Sequence, residues 1–326
     1  MVTEARPRPE DYSAIAEIAR DMLKAADPSD AFDPTDILNK IQAGQRSMVL
    51  RESGWQSVHS DPSTTDDDAS VVVGWAIAQD RAAGRVNGLW SVQRGNDHYI
   101  ALAARALAWL ESSTREILEA RGLESSIIVT EVGAKDLERV EAIQDAGFEK
   151  ARTWIIMERE VTGADADVPA RPGVTVRPIL TLEDRREAHR VLEESFQDHF
   201  NNFPESFEEF EPRIELFPGH DWARDFVAEV DIDGKPRVVG ALINGWLPTS
   251  NTAAIEYAGV SAEARGMGVA KALFQAVLRE AAELGYTRAE LVVDADSPTG
   301  AQDAYVKMGF TEDFRTQSWH KTITRR

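Results

Sequence analysis

The chain contains no cysteine. Disulfides, cysteine nucleophiles and zinc–thiolate sites are therefore excluded. No apolar run approaches the ~20 residues that cross a bilayer, and the first residues, Met1 to Arg6, lack the apolar core of a secretion signal. The histidines number six and show no close metal-ligand spacing, so no metal is expected. Positive charge is also scarce: 36 Lys plus Arg stand against 56 Asp plus Glu, a formal net charge of -20. Such a surface repels nucleic acid and anionic membranes. It attracts a cationic substrate only weakly, because salt screens charges beyond roughly 8 Å, and it serves solubility or a salty habitat equally well. The expectation is a cytoplasmic protein, monomer or homodimer, with neither nucleic acid nor membrane as partner.

What is present suits two globular domains. The length is 326 residues, with 43% hydrophobic and 28% charged, about twice the size of one typical domain. Residues 161–173 are small, polar and punctuated by Pro169, Pro172 and Gly173, and read as a linker between 1–160 and 174–326. The two parts echo each other. Arg8-Pro9 before a helical pattern recurs as Arg177-Pro178, and Val72-Val73-Gly74 recurs as Val238-Val239-Gly240. Ile127-Ile128-Val129 recurs as Leu291-Val292-Val293, and Gly147-Phe148 as Gly309-Phe310. Echoes in one order argue for duplication. Each half reads as strand, helix, a helical or loop segment, two or three strands, helix, strand, helix, strand. The fold expected is α/β (α+β), a mixed sheet flanked by helices and repeated twice. The acidic, serine-rich stretch from Arg51 to Ser70 reads as a mobile connection between strands.

The chemistry concentrates in the second half. A strand-like run, Ala254 to Val260, precedes Arg265-Gly266-Met267-Gly268-Val269-Ala270-Lys271, which opens an amphipathic helix. Unpaired amides and the dipole make a helix start an anion site, and glycines let a diphosphate approach the main chain. By itself a glycine pair reads equally well as a tight turn. A P-loop is ruled out because Val269-Ala270, not Lys-Ser/Thr, follows Gly268. A dinucleotide fingerprint is ruled out because Lys271 stands where its third glycine belongs. Beyond lies a second helix pattern with Tyr305. A phenol there reads either as a core tyrosine or as a proton donor.

These residues resemble the GCN5-related N-acetyltransferase (GNAT) superfamily. Arg265, Gly268 and Ala270 match its cofactor motif Gln/Arg-x-x-Gly-x-Gly/Ala. Ser297-Pro298-Thr299-Gly300-Ala301, Tyr305 and Gly309-Phe310 resemble its Asn-Pro-Thr-Gly-Ala…Tyr-x-x-x-Gly-Phe ending, with Ser297 in place of the usual asparagine. The likeness is specific from about residue 238 to 320 and fainter from 174 to 237. The tandem layout is similar to that of mycothiol synthase and related actinobacterial acetyltransferases. The resemblance implies an acetyl-CoA-dependent transfer of acetyl to a primary amine of a small molecule. Ala258, Gly259, Val260, Arg265, Gly266, Met267, Gly268, Val269, Ala270, Lys271 and Ser297 would hold the cofactor. Tyr305 would protonate the leaving thiolate, and the Val260 amide would stabilise the oxyanion.

Glu256, the nearest carboxylate on that strand, would deprotonate the amine, or is simply an exposed strand acid. Alternation places Glu256 on one face with Ala258 and Val260. The segment from Glu194 to Phe203 would wall the acceptor cleft through Glu194, His199 and Phe200, or else supplies packing aromatics. The first half keeps the pattern without the chemistry. Ile143 stands where Tyr305 stands, and Asp97, in Arg94-Gly95-Asn96-Asp97-His98-Tyr99, falls where Gly268 should be. Two further readings remain: a non-catalytic acyl-CoA-binding or scaffold protein, and the mycothiol synthase activity itself.

Overall fold

The computed structural model describes residues 2–26, 34–53, 70–81, 84–197, 204–297 and 300–325. Most of the expected mobile connection, and the candidates His199 and Phe200, lie outside the described residues. The element order follows the expected repeat. The first pass is β1 (Val2–Ala5), α1 (Tyr12–Ala26), α2 (Thr35–Gln42), β2 (Arg46–Ser53), β3 (Ser70–Asp80), β4 (Arg85–Val92), α3 (Tyr99–Arg121), β5 (Ser125–Gly133), α4 (Leu137–Asp145) and β6 (Glu149–Glu160). A helical turn, α5 (Gly163–Ala166), leads to the second pass. This is β7 (Thr175–Pro178), α6 (Leu182–Phe196), α7 (Phe207–Ile214), β8 (Phe226–Ile232), β9 (Lys235–Leu247), β10 (Thr252–Val260), α8 (Val269–Leu284), β11 (Arg288–Asp294), α9 (Ala301–Lys307) and β12 (Thr311–Thr324).

The chain divides into two compact units. One is Met1–Arg152 with Arg315–Arg326; the other is Thr153–Phe314. The sequence boundaries at 160 and 174 therefore miss an exchange of last strands. In the first unit β12 pairs antiparallel with β5, from Thr316 opposite Gly133 to Thr324 opposite Ser125. In the second unit β6 pairs antiparallel with β11, from Trp154 opposite Asp294 to Glu160 opposite Arg288. Alternation tells a strand which face to bury but not which strand to lie beside, so sequence alone assigned each strand to the half it ends.

In the first unit the strand order is β1-β2-β3-β4-β5-β12, with only β4 and β5 parallel. One face is covered by α1 and α2, through Ile15, Ile18, Ile37 and Ile41 packed on Val49, Trp75 and Ile77. The other is covered by α3 and α4, through Leu102, Leu107, Leu110 and Ile143 packed on Met48, Trp90 and Ile128. The second unit repeats this as β6-β11-β10-β9-β8-β7, with β10 and β11 the parallel pair. There α6 and α7 bury Val191, Leu192, Phe210 and Ile214 against Val227, Ala241 and Ile243. On the opposite face α8 buries Leu273, Phe274 and Val277 against Leu242, Ile255 and Val293. The predicted linker is not a free spacer throughout. Val161 is buried in the core of the second unit, and Asp165 accepts the Thr162 amide at 2.9 Å and pairs with Arg159.

Candidate active site

The site is set by a strand that leaves its neighbour. β10 pairs with the parallel β11 only from Thr252 opposite Arg288 to Ile255 opposite Leu291. Against β9 it continues to Val260 opposite Gly240, but with a bulge: Ile255 faces Asn244, Tyr257 faces Ile243, and Glu256 is the extra residue. A bulge increases local twist and bends the strand. From Glu256 onward β10 and β11 splay apart. The Ser261 amide donates to Val239 of β9 at 2.8 Å. Strand alternation then turns the N–H and C=O groups of Ala258 and Val260 away from β9, into the opened side.

The bulge also corrects the expected facing of Glu256. Ile255, Ala258 and Val260 all pack on the α8 face, whereas Tyr257 packs on the α6–α7 face. Glu256 leaves the face of Ala258 and Val260: its Oε1 lies 3.6 Å from where a Cβ on Gly245 would stand, beside Pro218 of the α7–β8 loop. Its side chain is exposed. The opening thus has two faces. The main chain of Ala258 to Val260 and Tyr305 belong with α8 and α9; Glu256 and Tyr257 belong with α6 and α7.

Glycines bring the helices in. A Cβ on Gly259 would stand 2.8 Å from Ser195 Oγ and 3.0 Å from Leu192 Cδ2, so α6 rests directly on the strand there. On Gly240 it would stand 2.6 Å from Val269 Cγ1, so the first residue of α8 rests directly on β9. Gly266 and Gly268 take φ values of 82° and 81°, the left-handed region that glycine enters without strain. Gly268 caps α8, whose first turn holds no acidic residue. Arg265, Met267, Ala270 and Lys271 are exposed around this turn, and Val269 is buried beneath it. Ser297 is half-buried, three residues after β11 ends, and its amide donates to the Asp294 carbonyl at 3.1 Å.

Tyr305 is half-buried on α9. Its ring packs on Phe274 at 5.4 Å and on Phe310 at 6.4 Å between centroids. Burial pushes its phenol above the usual tyrosine pKa, which keeps the hydroxyl protonated at neutral pH. That hydroxyl makes no hydrogen bond among the described residues. Glu194 lies beside Ser261, just past the C-terminal end of β10. Arg190 Nη1 donates to both its oxygens at 2.9 Å, and Ser261 Oγ donates to Oε2 at 3.2 Å.

Sequence reasoning passed over three features. Arg213 is held by Glu205 and donates to the Tyr257 hydroxyl at 3.1 Å, behind the bulge. His220 meets Asp225 at 2.8 Å in the interior, where burial lifts the Asp225 carboxyl to about 6. Arg171 donates from Nε to the Met267 carbonyl at 3.1 Å. No local pattern marks any of them, since each partner is remote in sequence or sits in a loop.

The first unit shows what the same fold looks like when the opening is filled. β4 also leaves β5 early, after Asn87 opposite Val129. The Gln93 amide donates to Val73 at 2.8 Å, the counterpart of Ser261 to Val239. Phe148 N–H to Ile143 O at 3.1 Å mirrors Phe310 N–H to Tyr305 O at 3.1 Å, which fixes Ile143 as the counterpart of Tyr305. Counting back along these frames, Trp90 corresponds to Ala258 and Arg139 to Ala301. Arg139 Nη2 donates to the Trp90 carbonyl at 2.9 Å, with its guanidinium 4.6 Å from the Trp90 ring centre. Both side chains are buried. The opened carbonyl is thus taken by a side chain in the first unit, where the second has two methyl groups. The expected place of Asp97 also shifts. The cap of α3 is His98, so His98 and not Asp97 stands at the position of Gly268. The first amides there are already used: His98 N–H donates to Asn96 Oδ1 at 2.8 Å and Tyr99 N–H to the Asn96 carbonyl at 2.9 Å.

Residues 188–310 match the Acetyltransferase (GNAT) family. The structure resembles a GCN5-related N-acetyltransferase from Sphaerobacter thermophilus, with a TM-score of 0.74 at 20% identity over 99% of this chain and 96% of that one. It also resembles a tandem GNAT protein from the clavulanic acid biosynthesis pathway, with a TM-score of 0.67 at 15% identity over 99% of this chain and 98% of that one. Residues 188–310 thus carry the GNAT family pattern, and the whole chain has the fold of tandem GNAT proteins. Among curated proteins, the mycothiol acetyltransferase of Geodermatophilus obscurus is 28% identical over 188 residues. That alignment takes in 56% of this chain and 59% of the relative's length. The family match falls wholly on the second half, where the strand opening, the glycine turn and the phenol lie. No helix among the described residues is long and apolar enough to cross a membrane, and no group of three or more His, Asp or Glu among them is arranged to hold a metal.

Proposed function

We propose that the second unit transfers acetyl from acetyl-CoA to a primary amine of a small molecule, and that the first unit does not catalyse. The observation that carries this is the contrast between the two openings. Arg139 and Trp90 fill one, while Ala258 and Ala301 leave the other lined by main chain beside a glycine-capped helix start. The residues suit the cofactor. A diphosphate fits glycines at positive φ on a helix start free of acids, and a pantetheine arm fits beside the outward-turned main chain of Ala258 to Val260.

Bound acetyl-CoA supplies the activated thioester carbonyl. The chain does the rest. Val260 N–H, turned to the opened side, is a donor for the carbonyl oxygen as it gains charge. Glu256, reached from the α6–α7 face, accepts the proton of the incoming ammonium, directly or through a water; without this the amine, with a pKa near ~10, is not nucleophilic. Tyr305, on the α8–α9 face, donates its proton to the departing sulfur. Base and acid thus approach the opening from opposite faces of the sheet, the base serving the amine nitrogen that enters and the acid the sulfur that leaves. The test is calorimetric titration with CoA, followed by thiol release from acetyl-CoA across a panel of small amines. One tight site per chain, abolished by Gly268→Asp, is expected. Two equal sites, or an unaffected Gly268→Asp variant, would refute the assignment.

A narrower alternative is mycothiol synthase activity, the acetylation of a cysteinyl amine on a glucosaminyl inositol, and the likeness to a mycothiol acetyltransferase supports it. Turnover of simple amines, with none on such conjugates, would exclude that narrower reading.

A further inference from the structure

Arg171 lies before the family-matched stretch, in the segment predicted as a linker, yet it reaches the glycine turn. The segment runs along α8. Arg279 of α8 donates to the Val168 carbonyl, Ala170 and Arg171 share a cavity wall with Ala272 and Gln275, and Arg171 Nε ends on the Met267 carbonyl at 3.1 Å. The guanidinium lies over Gly268 itself: a Cβ there would stand 2.6 Å from Nη2.

This position is electrostatically odd. A cation at a helix N-terminus is opposed by the dipole, and the chain has acids to spare. Other arginines of the unit have found them: Arg159, Arg177, Arg190, Arg213 and Arg237 each meet a carboxylate. Arg171, Arg265 and Lys271 have no carboxylate partner among the described residues. Even Glu263, close in sequence, is paired with Arg237 at 3.2 Å. Three unneutralised cations around one helix start, in a chain of net charge -20, mark a place where an anion completes the charge balance.

We propose that Arg171 is a clamp for the diphosphate of the donor, supplied from outside the GNAT motif. The inference rests on reading this turn as the acetyl-CoA site. A guanidinium offers a planar fork that takes two phosphate oxygens at once. Held by Met267 on one side, it would close over the diphosphate while the amides of Gly268 and Val269 hold it from below.

The experiment measures binding, not turnover. CoA and dephospho-CoA, which share the diphosphate and differ in the 3′-phosphate, are titrated into the full chain by calorimetry. Wild type, Arg171→Ala and Arg171→Gln are compared, with thermal melts confirming the fold. Arg171→Ala should weaken both ligands by the same factor, about ten- to one-hundredfold. Arg171→Gln, which keeps a donor for Met267 but loses the charge, should behave like Arg171→Ala. A loss confined to CoA assigns Arg171 to the 3′-phosphate and overturns the clamp. Wild-type affinity in Arg171→Gln reduces the residue to a tether for the turn and overturns it too, as does unchanged affinity in both variants. If wild type binds neither ligand, the acetyl-CoA reading fails first and the clamp fails with it.

Discussion

Tyr305→Phe separates chemistry from architecture because of how the side chain sits. The ring is the structural part: it contacts Phe274 at 5.4 Å and Phe310 at 6.4 Å, and phenylalanine keeps both contacts. The hydroxyl makes no hydrogen bond among the described residues, so deleting it leaves no protein partner unsatisfied. The stability change should stay within about 0.5 kcal/mol, and the affinity for CoA should stay put. Turnover should not. Losing a positioned general acid typically costs ~10²–10⁴ in rate, or about 2.7–5.4 kcal/mol of barrier at 1.36 kcal/mol per decade. The pH profile adds a sign. An acid works while protonated, and burial raises this phenol above the usual tyrosine range. The alkaline loss of kcat in the wild type should therefore lie beyond the range of an ordinary tyrosine. In the variant the residual rate should lack that limb. Thiol release is followed under saturating acetyl-CoA with an amine that supports turnover, beside denaturant melts and CoA titrations. A variant that keeps more than about a tenth of wild-type kcat would remove Tyr305 from the mechanism.

Gly268→Ala should weaken CoA at least about tenfold. A side chain in the left-handed region costs about 1–2 kcal/mol, and its Cβ would collide with Arg171; calorimetry beside a melt checks both. Arg139→Ala should destabilise the chain by about 1.5–3 kcal/mol in denaturant titration, because it strips a buried guanidinium from the Trp90 carbonyl and from the Trp90 ring. It should leave kcat per folded molecule unchanged, and a matching loss of kcat would show that the first unit takes part in catalysis. Asp225→Asn tests the buried pair with His220. Burial raises the Asp225 carboxyl to about 6, so the folded state holds its proton more tightly than the unfolded one. Its contribution to stability is full below the ordinary aspartate range near pH 4 and is lost as pH rises through about 6. Wild-type stability relative to the asparagine variant should fall across that window by up to about 3 kcal/mol; a flat difference would refute the raised value.

The parts of the molecule visible in the sequence are those written in local pattern. The repeat of elements was legible because glycines and apolar periods recur in order, and Gly74 and Gly240 do occupy matching places, opposite Val92 and Val260. The glycine turn was legible because positive φ demands glycine at 266 and 268. The facing of Glu256 was not, because simple alternation assumes a regular strand and the bulge inserts one residue at that point. His98 at the cap of α3 was misplaced by one residue for a related reason: without glycine as a marker, a helix start is poorly fixed by pattern. Arg139 against Trp90 and Arg171 against Gly268 were invisible, because each joins residues far apart in the chain through a contact that leaves no periodic trace.

The exchange of final strands has a genetic consequence. If the early part of the chain does not catalyse, as proposed above, selection on chemistry would not protect it, and such a segment would ordinarily be free to erode. Yet residues 153–160, which close that early part in sequence, lie along β11 and complete the sheet that carries Tyr305 and the glycine turn. A gene trimmed to begin at residue 174 would encode every candidate reactive group and still leave β11 with a bare edge, a template for aggregation. On the proposed reading, the first copy is retained as a donor of backbone.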